Sequence, residues 1–187
     1  MRTGGRAAGG RRHENEHLRQ GLALLDRLDD EAYLCTPPGE RVGGVGPQLR
    51  HVIDYYRCFV RDVCSGRVDY DRRERHPEVE TSRAAAAERL TALIDELQAL
   101  ESAELPSELD VKADRDPLLP EEQLWARSSV GRELMFLASH TVHHFAIMAI
   151  TLAGHGVSVG RGFGVAPSTL RHWQETETDA PAEAPRS

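Results

Sequence analysis

Lysine is nearly missing from this chain: Lys112 is the only one, and arginine supplies the rest of the positive charge. That is a bias of composition and assigns no function. Cysteine is scarce too. Cys35, Cys58 and Cys64 are odd in number and form no CxxC pair, which excludes a disulfide framework and leaves three packing residues in a reducing compartment. There is no cationic surplus: the formal net charge is −7, which excludes a general nucleic-acid binder, because such proteins face phosphates with excess positive charge. Also missing is an apolar run long enough for a bilayer. The longest, residues 145–153, is short and flanked by histidine, and the N-terminus has no hydrophobic signal core. Together these absences describe a soluble, cytoplasmic protein with no nucleic-acid and no membrane partner. Aromatics are few, at 5%, but 40% hydrophobic content over 187 residues suffices for one core.

The chain divides into a Gly/Arg-rich tail over residues 1–12, expected to be disordered, one domain over 13–174, and a disordered C-terminal tail over 175–187. Within the domain, apolar residues at helical spacing predict helices over residues 15–33 (Leu18, Leu22, Leu25, Leu28), 47–65 and 82–102 (Leu90, Leu93, Ile94, Leu97). A fourth starts after a Ser128 or Ser129 cap and ends at Gly154, which suits a C-terminal cap. Phe136, Ile147 and Ile150 make its second side apolar, as in a central helix or one half of a dimer interface. The proline-bearing connection before it has room for a small β-hairpin using residues 109–112 and 123–126. Residues 163–173 suit a short helix folding back over one end.

Chemistry points to Glu133-Leu134-Met135-Phe136-Leu137-Ala138-Ser139-His140-Thr141-Val142-His143-His144, where imidazoles interrupt an apolar helix. Burying such rings is costly without partners, and a metal ion is a strong one. Residues four apart share a helix face with Cβ atoms roughly 6 Å apart, so His140 and His144 can close on one ion. His143, about 100° from His144, points elsewhere. Glu133 shares the azimuth of the pair and suits either a further ligand or an acceptor for a ring N–H. Chance alone produces many HxxxH pairs, so a third ligand is needed. His51, early in the second helix, is the candidate. The apolar stripe of that helix is centred well over a quarter-turn away from it, so the pattern fits a surface residue as well as a ligand.

Two other motifs carry less. His13-Glu14-Asn15-Glu16-His17 is a literal HExxH, but it follows the Gly/Arg tail, lacks apolar neighbours and has no third ligand nearby. Its Glu14-x-x-His17 also fails as a di-iron site, which needs two such motifs and two more glutamates.

An ordered set of motifs decides the reading. Gln48-Leu49-Arg50-His51-Val52, Gly66-Arg67-Val68-Asp69-Tyr70-Asp71, Glu80-Thr81, Ser139-His140-Thr141-Val142-His143-His144 and Phe163-Gly164-Val165-Ala166-Pro167-Ser168-Thr169-Leu170 together resemble the DinB/YfiT-like metalloenzymes over about residues 15–173. The resemblance implies an all-α fold, an antiparallel four-helix bundle, often a homodimer, with a three-histidine site for a divalent metal, usually nickel or zinc. Its first ligand falls on His51 and its paired ligands on His140 and His144. Some members use a low-molecular-weight thiol such as bacillithiol or mycothiol in transfer or isomerisation.

Three imidazoles leave the metal a free position, the mark of a catalytic rather than a structural site. The leading expectation is therefore a metal-dependent transferase or isomerase presenting a thiolate to an electrophilic small-molecule substrate. Tyr55, one turn after His51, suits a proton donor or ordinary packing, and Glu133 suits orienting a ligand ring. The alternatives are a non-catalytic metal-binding or stress-response bundle, and a hydrolase using bound hydroxide.

Overall fold

A computed structural model describes residues 5–37, 43–113 and 118–178, with side chains described from residue 16 to 176. Among these residues the chain is mostly helical: α1 (Gly5–Arg27), α2 (Asp30–Leu34), α3 (Val45–Asp62), α4 (Glu78–Thr81), α5 (Arg83–Ala99), α6 (Val130–Gly154) and α7 (Pro167–Thr178). Three short strands, β1 (Arg67–Asp69), β2 (Leu109–Lys112) and β3 (Ala126–Ser128), complete it.

Local chemistry sets the boundaries. The expected first helix breaks at Asp29, whose carboxylate accepts from the Ala32 N–H at 2.8 Å and so opens α2 as a separate turn. The hydroxyls of Ser82 and Ser129 accept from Ala85 and Arg132 and start α5 and α6, each cap contributing about 1 kcal/mol. The last turns of α3 and α5 tighten into 3₁₀ segments, Val63–Ser65 and Leu100–Ser102. At the end of α6 the left-handed residue is Gly156, two past the expected Gly154.

Several expectations need correction. Helix α1 begins at Gly5, so residues 5–12 of the expected tail are helical; extending a helix whose later turns are already packed avoids the cost of a new nucleus. Residues 1–4 lie outside the described residues. At the other end α7 runs to Thr178, and residues 179–187 of the expected C-terminal tail lie outside the description. The hairpin forms with a shifted register: Leu109 pairs with Ser128 and Val111 with Ala126, while Glu121–Gln123 forms a 3₁₀ turn. β1 then pairs parallel to β2, with Val68 opposite Val111, a strand that the sequence reading missed.

The four long helices pack side by side, α1 and α3 each against both α5 and α6. Their apolar stripes meet in one core containing Leu18, Leu25, Ile53, Leu93, Leu137 and Phe145, all nearly or wholly buried. α6 is, by length and composition, long and apolar enough to cross a membrane; here its inner face is packed against α1 and α3. Two close approaches lock the periphery. Gly46 lies where any Cβ would overlap the Glu80 carbonyl, letting α4 press against the start of α3. Gly164, at φ +68°, sits on the α6 backbone at Ala146, while Phe163 stacks on Phe145 with centroids 4.6 Å apart.

Candidate metal centre

The tertiary structure brings the three expected histidines together. His51 comes from the second turn of α3, and His140 and His144 from successive turns of α6. His51 Nε2 lies 3.2 Å from His140 Nε2, which lies 3.0 Å from His144 Nε2. The three ring nitrogens fall within 4.8 Å of one another, and all three side chains are half-buried. His143 is exposed and meets only the edge of the His144 ring, as its azimuth requires.

Protonation in this cluster is controlled. His144 Nδ1 lies 2.5 Å from Gln48 Oε1, and an amide oxygen can only accept, so the ring proton sits on Nδ1 and Nε2 faces the cluster bare. The other end of the Gln48 amide donates to the Gly43 carbonyl at 3.2 Å, which holds the oxygen toward His144. Burial, then the neighbouring His140, His51 and His143, push the His144 pKa down to about 3, keeping the ring neutral.

An aromatic wall closes one side. The Tyr55 ring, buried, packs 4.4 Å from His140 and 4.9 Å from His51 between centroids. Phe136 stacks on His140 at 5.6 Å, and Tyr70 stacks on Tyr55 at 5.3 Å. These rings exclude water and lower the local dielectric, strengthening any charge interaction made there.

Glu133 is buried but takes a different role from the one expected. Its oxygens accept from Tyr70, at 2.9 Å, and from Ser128, and it lies outside the nitrogen cluster. Burial first, and then the facing carboxylate, hold the Tyr70 pKa well above the ordinary phenol value, so its proton stays in the bond to Glu133. The sequence reading missed Gln48, Tyr70 and Phe136 as parts of the site. Gln48 was discoverable: three residues before His51, it shares a helix face with it. Tyr70 lies in one of the motifs that carry the resemblance, but its neighbours in sequence give it no role, because only the path of the chain through β1 brings it to α3 and α6.

Of the HExxH motif, the side chains of His13 and Glu14 lie outside the described residues, and His17 borders a cavity of about 680 Å³ with Ala138, Ser139 and Val142, lined by α6 residues other than the paired histidines.

Fold and site define a helical protein with a cross-helix three-histidine cluster. The model of the DinB superfamily matches residues 15–148, and the chain belongs to that superfamily. It is also 34% identical over 105 residues to a Rhizopus delemar protein named FK506-binding protein 5, a stretch covering 56% of this chain and 27% of that protein. The chain thus spans about a quarter of that relative's length. No solved structure matches it significantly.

The residues present fit a metal ion. Three imidazoles aim ring nitrogens at one another, and one of them, His144, is kept neutral by burial and fixed in the ligating tautomer by an amide.

Proposed function

We propose that His51, His140 and His144 hold one divalent ion, nickel or zinc, and that the protein is a metal-dependent transferase or isomerase acting through a low-molecular-weight thiol. The observation that carries this reading is the convergence of three Nε2 atoms from two helices, with the tautomer of His144 set by Gln48. A bound ion supplies Lewis acidity that draws the pKa of a thiol or water toward neutrality. The chain's own groups do the rest. Gln48 holds His144 in register, while Tyr55, Phe136 and Tyr70 keep bulk water from one flank. Glu133, engaged by Tyr70 and Ser128, leaves the cluster with three protein donors and a position for an exogenous one.

On this reading the long helices form an antiparallel four-helix bundle within one domain, over residues 13–174. The protein works as a cytoplasmic homodimer on an electrophilic small molecule, without nucleic-acid or membrane partners. Met135 and Ile150, each 72% exposed on α6, support a subunit contact there.

Elemental analysis of protein purified without added metal tests the site. About one divalent ion per chain is expected, lost in both His51→Ala and His144→Ala, followed by turnover of an electrophile only when a thiol is supplied. Metal retained in both variants overturns the reading.

A further inference from the structure

This is an acid-rich chain, with 30 Asp and Glu against 23 Lys and Arg, and several of its arginines hold acidic partners. Arg50 pairs with Asp54 and Glu80, Arg57 with Glu96, Arg61 with Asp62, and Arg89 with Glu78. Others, such as Arg19, Arg75 and Arg132, form no ion pair among the described residues and are exposed to solvent; Arg73 is not. Among the described residues its half-buried guanidinium forms no ion pair, and its Nε is buried without a hydrogen-bond partner. Asp54, whose carboxylate feels the Arg73 charge, is already engaged by Arg50.

The side chain is nonetheless placed. The preceding carbonyl, Arg72 O, accepts from Arg61 Nη1 at 2.9 Å and from the Cys58 thiol at 3.6 Å, pinning the loop to α3. The guanidinium then lies 5.2 Å from the centroid of the Tyr55 ring, the same ring that packs against His140 and His51. One tyrosine therefore separates an uncommitted planar cation from the imidazole cluster. A guanidinium stays charged at any working pH, and its fork matches the geometry of a carboxylate or phosphate.

We infer that Arg73 is the anion anchor of this site, holding a carboxylate or phosphate of the substrate or thiol while the reacting sulfur enters at His51, His140 and His144. The inference rests on the metal-thiol reading above and adds to it a substrate class: a thiol or electrophile that ends in an oxyanion several bonds from its reacting atom.

The test uses the full chain loaded with cobalt(II), whose visible bands report both occupancy and sulfur ligation. Mercaptohexanoate and mercaptohexanol are titrated in parallel, their shared chain being too long for the acid to chelate the ion through both ends. The wild type is expected to bind the acid at least about tenfold more tightly than the alcohol. Arg73→Gln removes that preference and leaves cobalt and alcohol binding unchanged, whereas Arg73→Lys keeps part of it, since the charge remains and the fork is lost. A phosphate-ended thiol of the same length distinguishes the two oxyanions by which binds tighter. Equal binding of acid and alcohol by the wild type, or a preference that survives in Arg73→Gln, overturns the inference while leaving the metal site standing. Absence of cobalt bands in the wild type, or bands that persist in His51→Ala, brings down the metal reading and the anchor with it.

Discussion

The part that the sequence suggests for Glu133 falls to Gln48. Glu133 has the charge and azimuth of a residue that orients an imidazole, yet Tyr70 and Ser128 take both of its oxygens. The orienting bond comes instead from the neutral Gln48. An amide acceptor fixes a tautomer without adding charge to the site, so the charge of an ion held there would act undiminished on a further ligand. Gln48→Ala is expected to weaken metal binding by about 10–100-fold while the helical far-UV signal is kept, measured by competition with a chromophoric chelator. Unchanged affinity would show that the packing of His144 alone sets its ring. The pairing of His140 with His144 is legible in the sequence because both lie on one helix. The convergence of His51 is not, because helical periodicity gives the azimuth of a residue on its own helix and says nothing of how that helix is rotated against another.

Among elements, the placement of α3 decides whether His51 reaches the α6 histidines. Arg50, next to His51, bonds both Asp54 on its own helix and Glu80 on α4, and the Tyr33 hydroxyl donates to the Val79 carbonyl, so α2, α3 and α4 form one clasp. Gly46 makes the clasp possible by admitting the Glu80 carbonyl where a side chain would stand. Gly46→Ala should therefore push α4 away, destabilise the fold by about 1–3 kcal/mol and lower metal affinity as well, read by thermal melting and chelator competition. A control in the first turn of α6, Gly131→Ala, meets open space and should cost nothing comparable. A serine cap at Ser128 or Ser129 was readable from the sequence, and the structure places it at Ser129. The strand β1 was not, since three residues such as Arg67–Asp69 carry no periodicity and acquire strand form only from pairing with β2.

For the whole molecule, the lowered basicity of His144 makes stability depend on pH. The His144 imidazole, held near 3 by burial and by its histidine neighbours, binds a proton less readily in the folded chain than at its ordinary value of 6.5. The unfolded chain therefore takes up the extra proton as the pH falls below about 6.5, and this group destabilises the metal-free protein progressively from there toward pH 3, with no contribution above that window. Metal at about 100 times its Kd should add about 2.7 kcal/mol near pH 7.5, a rise of roughly 5–10 °C in Tm. The gain should vanish with chelator and be missing from His144→Ala, both read by calorimetry. A metal-induced rise of the same size in His144→Ala would place the ion elsewhere.

The sequence by itself determined the helical character, the core stripes, a serine cap before α6 and the HxxxH pair, because each depends on residues within one or two turns of each other. Its motif order also reached the family and, through it, His51. Only the tertiary structure decided that His51 meets His140 and His144, that Gln48 rather than Glu133 orients an imidazole, and that Arg73 stands uncommitted beside Tyr55. Those facts depend on residues far apart in the chain, and on how helices are rotated and loops are pinned when many side chains pack at once, which no local pattern encodes.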